Sequence, residues 1–182
     1  MDETVQVGSR QYWLFLNLLM LARGMDLLST WLATPNLALE ANPIARRLGW
    51  KWGLPLNAVL CAFFAAWPLP AVVISTTSLL VAARNFQGVW LMRTLGEDEY
   101  RRWMSERVRE TRPVLYLGCL FAQTALVGGV GAALTWFAQD LVPLGIGLGI
   151  VAYALAVLLF TLLSVWRLRR NASRMAAEVL GE

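Results

Sequence analysis

The chain has 182 residues, of which 58% are hydrophobic and 15% charged, with 16 Lys+Arg against 12 Asp+Glu and no histidine; soluble domains run nearer about 45–50% apolar and about a quarter charged. The apolar excess is gathered into runs longer than a small soluble core absorbs, which excludes a water-soluble globular domain and points to an all-α, polytopic membrane protein forming a single membrane domain over residues 1–182. Without an imidazole, His-ligated haem and zinc, His-dependent hydrolase triads, HExxH proteases and histidine-dependent phosphatases are excluded too.

A spanning helix needs about 20 mostly apolar residues for a hydrocarbon core about 30 Å thick. Residues 11–34 are the first such segment; Asp2, Glu3 and Arg10 precede it and it has no clear small-residue cleavage site, so it reads as a retained span rather than a signal peptide. Arg23 falls near its centre and Asp26 one turn further on. Each such charge costs about 2.5–3.5 kcal/mol at mid-membrane, while each of the eight leucines in the segment returns about 0.3–0.6 kcal/mol. The sums nearly cancel, so the polar side should turn toward partner helices, a wet cavity or another subunit. Arg23, Asp26, Ser29 and Thr30 are spaced to share one helical stripe. That stripe is either an internally neutralised pair that fixes helix packing or a site for a proton, an ion or a lipid headgroup.

The segment that follows, from Pro35 through Glu40, Ala41, Asn42 and Pro43 to Gly49, reads as a loop and a short helix. Asn42 can cap that helix, Pro43 suits its first position and Gly49 its C-terminal stop. Glu40 is explained less well by capping. If the loop folds back over the end of the first span, Asp26, Thr30, Glu40 and Asn42 converge as oxygen donors suited to a divalent cation, with Asp26 and Glu40 as the metal candidates; otherwise no cofactor is expected. The Asp26, Ser29-Thr30 and Glu40-Ala41-Asn42-Pro43 elements resemble the Asp…Thr…Glu-Ala-Asn-Pro signature of a family of small bacterial and archaeal membrane proteins of unknown function. The likeness covers about the first quarter of the chain. It implies a prokaryotic membrane protein with a paired polar motif and carries no activity with it.

Residues 54–83 form the second predicted span, with Trp67-Pro68-Leu69-Pro70 near its middle. Two missing N–H groups predict a kink, and Ser75-Thr76-Thr77-Ser78 can return hydroxyls to the backbone, which favours one bent helix over a re-entrant pair. An amphipathic helix follows over residues 97–110, with Glu97, Asp98 and Glu99 at its start and Arg107 and Arg109 at its end, matching the macrodipole. Its Tyr100, Trp103, Met104 and Val108 share one face. Two uses are open: an interfacial helix with Arg101, Arg102, Trp103, Arg107 and Arg109 at lipid headgroups, or a linker helix packed on the bundle.

The last two predicted spans, residues 113–138 and 141–166, are rich in glycine and alanine, and Gly145-x-x-x-Gly149 suggests that they pair with each other. Cys61 and Cys119 both lie in apolar runs and read as small hydrophobes, without a CxxC or disulfide framework. The expectation is thus a bundle of four spans plus an interfacial helix. With both termini on the cytoplasmic side of an inner membrane, twelve arginines fall inside, and Arg46, Arg47 and Lys51 stand outside as an exception. Eight of nine tryptophans fall at span ends or in the connecting segment, leaving Trp67 near a midplane.

Three functions compete. A non-catalytic accessory or assembly subunit, docking other membrane subunits or itself through the stripe on the first helix, demands the least chemistry. A small transporter or ion-coupled protein would use Asp26 and Glu40. A lipid-modifying enzyme lacks an acidic cluster to hold Mg²⁺ and a diphosphate. The bilayer is a partner in each case, and nucleic acid in none.

Overall fold

A computed structural model describes residues 4–40 and 42–180, with side-chain surroundings through residue 166. Asp2, Glu3, Ala41 and the side chains of Arg167, Arg169, Arg170 and Arg174 lie outside the described residues. The described chain is all-α, with six helices: α1 (Arg10–Ala33), α2 (Pro43–Phe64), α3 (Pro68–Leu95), α4 (Glu97–Glu110), α5 (Pro113–Phe137) and α6 (Leu141–Leu180). Three stretches are long and apolar enough to cross a membrane by length and composition: Pro68–Leu95, Pro113–Phe137 and Leu141–Trp166.

Local chemistry explains most of the boundaries. Ser9 caps α1 by accepting from the Tyr12 backbone N–H at 3.2 Å. Asn42 caps α2 by accepting from the Ile44 N–H at 3.0 Å, with Pro43 opening the helix. Gly49 leaves helical geometry at φ 64°, so the anticipated short helix does stop there, and the chain then re-enters helix and runs to Phe64. Pro113 starts α5, and α4 begins and ends where its charges indicate.

The second predicted span is corrected. Residues 54–83 are not one bent helix: α2 ends at Phe64, Trp67 adopts extended geometry (φ −118°, ψ 102°), and α3 begins at Pro68. A proline at the first helical position has no N–H to lose, so Pro68 initiates a helix where a mid-helix position would only bend one. Trp67 accordingly sits at a helix junction at one end of the bundle, not at its middle.

Contacts then fix the directions. Tyr12 donates its hydroxyl to the Ala62 carbonyl at 3.0 Å, Arg23 reaches Asn57, and the Trp50 indole donates to the Pro35 carbonyl at 2.8 Å, so α2 runs antiparallel to α1. Arg23 meets Ser78, Asn85 meets Ser29 and Thr30, and the Arg93 guanidinium lies over the Trp31 ring, so α3 runs parallel to α1. The Val5 N–H donates to the Ala66 carbonyl at 2.7 Å, tying the start of the described chain to the α2–α3 turn.

Two further corrections follow. The loop after α1 and helix α4 share one end of the bundle: the Asn36 N–H donates to Glu97 Oε1 at 2.9 Å and Arg101 Nη2 donates to the Ala38 carbonyl at 2.5 Å. They therefore do not flank opposite membrane faces, as the expected orientation requires. Gly145 and Gly149 face α3, against Val72 and Thr76, whereas α5 packs on α6 through Gly131 and Gly147. Residues four apart on a helix share a face, and the residue midway between them looks the other way. Since α6 lies parallel to α3 through these contacts, it leaves toward the α4 end, opposite the end that holds Val5.

Candidate functional site

Residues of α1 that would be expensive in lipid turn into the bundle. Arg23 donates from Nε and Nη2 to Asn57 Oδ1 (2.9 and 2.5 Å), and from Nη1 to Asp26 Oδ2 (2.7 Å) and Ser78 Oγ (3.2 Å). The side chains are 30% exposed for Arg23 and 15% for Asp26. One guanidinium thus ties α1 to α2 and α3, and its planar fork suits such a junction. One turn further on, Ser29 donates to the Asp26 carbonyl at 2.8 Å while Asn85 Nδ2 donates to Ser29 Oγ (3.1 Å) and Thr30 Oγ1 (3.3 Å).

The predicted stripe of Arg23, Asp26, Ser29 and Thr30 is therefore one connected cluster facing α2 and α3. It is not presented outward as a docking face. Glu40 and Asn42 only partly join it. Glu40 lies within electrostatic range of Asp26, but its Oε1 accepts from the Asn42 N–H at 2.7 Å, and Asn42 Oδ1 is engaged in the α2 cap. Among the described residues, no three His, Cys, Asp or Glu side chains come together in a way that could hold a metal ion. Asp26 and Glu40 remain a pair.

Asn57 and Asn85 were not singled out from sequence, and Ser78 was read only as a hydroxyl returned to its own backbone, although a signal existed. A mid-membrane guanidinium demands acceptors, and Asn57 and Ser78 are polar residues inside the second apolar run. Asn85 lies just beyond the predicted end of that run. Two buried polar atoms have no hydrogen-bond partner among the described residues, Ser75 Oγ and Arg84 Nη1, both on α3.

The surface arginines of α4 are engaged locally. Arg101 holds the loop, Arg102 pairs with Glu99 at 2.5 Å and Arg107 with Glu110 at 2.6 Å, while Arg109 is exposed. Its apolar face is turned inward: Val108 is buried, Tyr100, Trp103 and Met104 are half-buried, and the Tyr100 and Trp103 rings lie 5.8 Å apart. Burial pushes the Tyr100 phenol above its ordinary pKa, with Tyr116 adding to the shift.

Among the described residues, fold and site together define an all-helical protein with three helices long and apolar enough to cross a membrane and a polar interior cluster built on its first three helices. The chain matches no protein-family model, no curated protein and no solved structure.

Proposed function

We propose that this protein is a non-catalytic subunit of a larger membrane assembly. The observation that carries the reading is that the costly polar groups of α1 find their partners within the chain, while the exposed side of α5 is apolar apart from Gln123. Leu120, Thr124 and Gly131 are its buried positions, and Val114, Leu115, Phe121, Leu126, Val130 and Phe137 are exposed. Docking through the polar stripe is replaced by docking through this face, against apolar helices of other subunits.

Placement in the bilayer is part of the proposal. At 1.5 Å per residue, Trp13 to Trp31 on α1 spans about 27 Å, Trp67 to Trp90 along α3 about 35 Å, and Trp136 to Tyr116 on α5 about 30 Å. These separations match two aromatic belts bracketing one hydrocarbon core. Beyond Gly49, α2 rises only about 21 Å from Trp50 to Phe64 and returns the chain to the Trp67 turn as a shorter pass beside α1, so that with the three more apolar helices the chain makes five passes. The α4 end then faces the cytoplasm, and Arg46, Arg47 and Lys51 join the α4 arginines there, which reduces the exception to the positive-inside rule from three residues to Arg10 alone.

Extraction of native membranes in mild detergent, followed by mass measurement, tests the assembly. A stoichiometric complex that Val130→Gln and Leu126→Gln disperse supports it, and a functional monomer overturns it. Ion coupling is a second reading, favoured by Glu40 lying within electrostatic range of Asp26. Proteoliposome flux that Asp26→Asn abolishes would select it.

A further inference from the structure

Beside the Arg23 cluster lies a partly open cavity of about 130 Å³ between α1, α2 and α3. Arg23 and Asn57 form its polar end, Leu19, Leu60, Phe64 and Ile74 its walls, and Cys61 also faces it. Donor counting at the polar end is informative. A guanidinium has five N–H groups, and four hydrogen bonds to described residues are made by Arg23. The Asn57 amide has two, of which one goes to the Gly53 carbonyl at 2.7 Å. One Arg23 Nη2–H and one Asn57 Nδ2–H thus have no acceptor among the described residues. At the polar end of the cavity Asn57 Oδ1 is already engaged twice by Arg23.

With α1 crossing the bilayer as proposed, Arg23 lies near mid-membrane, where bulk water does not supply the missing acceptor and an unpaired donor is expensive. Asp26 already balances the guanidinium charge, so the missing group need not be an anion. It must bring a hydrogen-bond-accepting oxygen on an apolar body small enough for the cavity. We propose that this cavity binds a bilayer-dissolved amphiphile through a carbonyl oxygen, which accepts from Arg23 and Asn57 while its apolar part lies against Leu19, Leu60, Phe64 and Ile74. Two sources share that chemistry: the neutral ring carbonyl of a lipid-soluble quinone and the carboxyl group of a free fatty acid. This site goes beyond the assembly role but rests on the proposed passage of α1 through the bilayer.

Cys61 supplies a direct reporter, because it lines the cavity and Cys119→Ala leaves it the single thiol of the chain. The full-length Cys119→Ala protein in nanodiscs is modified with a membrane-permeant maleimide in the presence of a decyl-tailed benzoquinone substituted at every ring position, so that it cannot add to the thiol, or of decanoic acid or decane. A bound carbonyl compound slows Cys61 modification about tenfold at about ten times its Kd, by simple occupancy. Protection by the quinone alone assigns a neutral carbonyl, protection by the acid alone a carboxyl group, and either outcome supports the site. Leu60→Trp, which fills the cavity from its wall, should abolish that protection, and Arg23→Lys, which removes the spare fork donor, should weaken it. The proposal is overturned if neither carbonyl compound protects, if decane protects equally well, or if Leu60→Trp leaves ligand protection intact.

Discussion

Removing the Asp26 carboxylate would leave Arg23 in the bundle with its charge unbalanced, whereas removing both ends of the pair leaves no orphan charge. Breaking one side of a buried pair typically costs about 3–5 kcal/mol, and replacing both sides with apolar groups of similar volume is often near neutral. Asp26→Ala is therefore expected to lower the midpoint of SDS-induced unfolding strongly, and Arg23→Met with Asp26→Leu to recover much of the loss. A double variant no more stable than Asp26→Ala would show that the cluster does more than neutralise itself. Asn85 links α3 to Ser29 and Thr30 through two neutral hydrogen bonds, and such bonds between membrane helices are worth about 0.6 kcal/mol on average. Asn85→Leu should accordingly be mild in the same unfolding measurement.

Among the elements, the α5–α6 contact depends on missing side chains. A Cβ at Gly147 would lie 2.7 Å from the Thr135 backbone nitrogen and 2.8 Å from the Gly131 carbonyl oxygen. Backbone cannot swing aside as a flexible side chain can, so Gly147→Ala is expected to cost about 1–3 kcal/mol. Gly129 belongs to the same helix pair, but a Cβ there would meet nothing within 4 Å. It should accept alanine without loss and gain up to about 1 kcal/mol in helix propensity. Thermal melts of the two variants in one detergent separate these outcomes. Helix α4 carries a pH dependence. The Tyr100 phenol is raised by burial and then by Tyr116, so the folded state holds its proton longer than the unfolded chain does. Its contribution is complete below the ordinary tyrosine pKa of about 10. It declines as pH rises through the folded value. Absorbance titration of the phenolate should show Tyr100→Phe removing a late-titrating component, with alkaline loosening of α4 reduced in that variant.

At the scale of the molecule, the decisive consequence is orientation. In a background lacking both cysteines, Val7→Cys at the α2–α3 turn end and Ser105→Cys on α4 should react from opposite faces of the membrane with an impermeant thiol reagent, Ser105→Cys from the cytoplasmic face. Labelling of both from one face would break the five-pass arrangement. Much of the fold was legible because its signals are local. The apolar runs, the Asn42-Pro43 cap, the Gly49 stop and the charge pattern of α4 each act within a few residues, and every described helix except α3 begins where those signals place it. The destination of the Arg23 stripe was legible in part, since energy alone dictates that it avoid lipid. Its acceptors were not, because Asn57 and Ser78 come from helices far along the chain. The sequence by itself determined that this is a helical chain with runs long and apolar enough to cross a membrane and a polar pair too costly for lipid. Only the tertiary structure decided that Pro68 starts a helix instead of bending one, which reverses the chain there and brings α4 to the same end as the loop after α1. A proline's missing N–H is compatible with either role, and the choice rests on packing that joins α1 to α3 across some fifty intervening positions in the chain, as between Arg23 and Ser78, 55 residues apart.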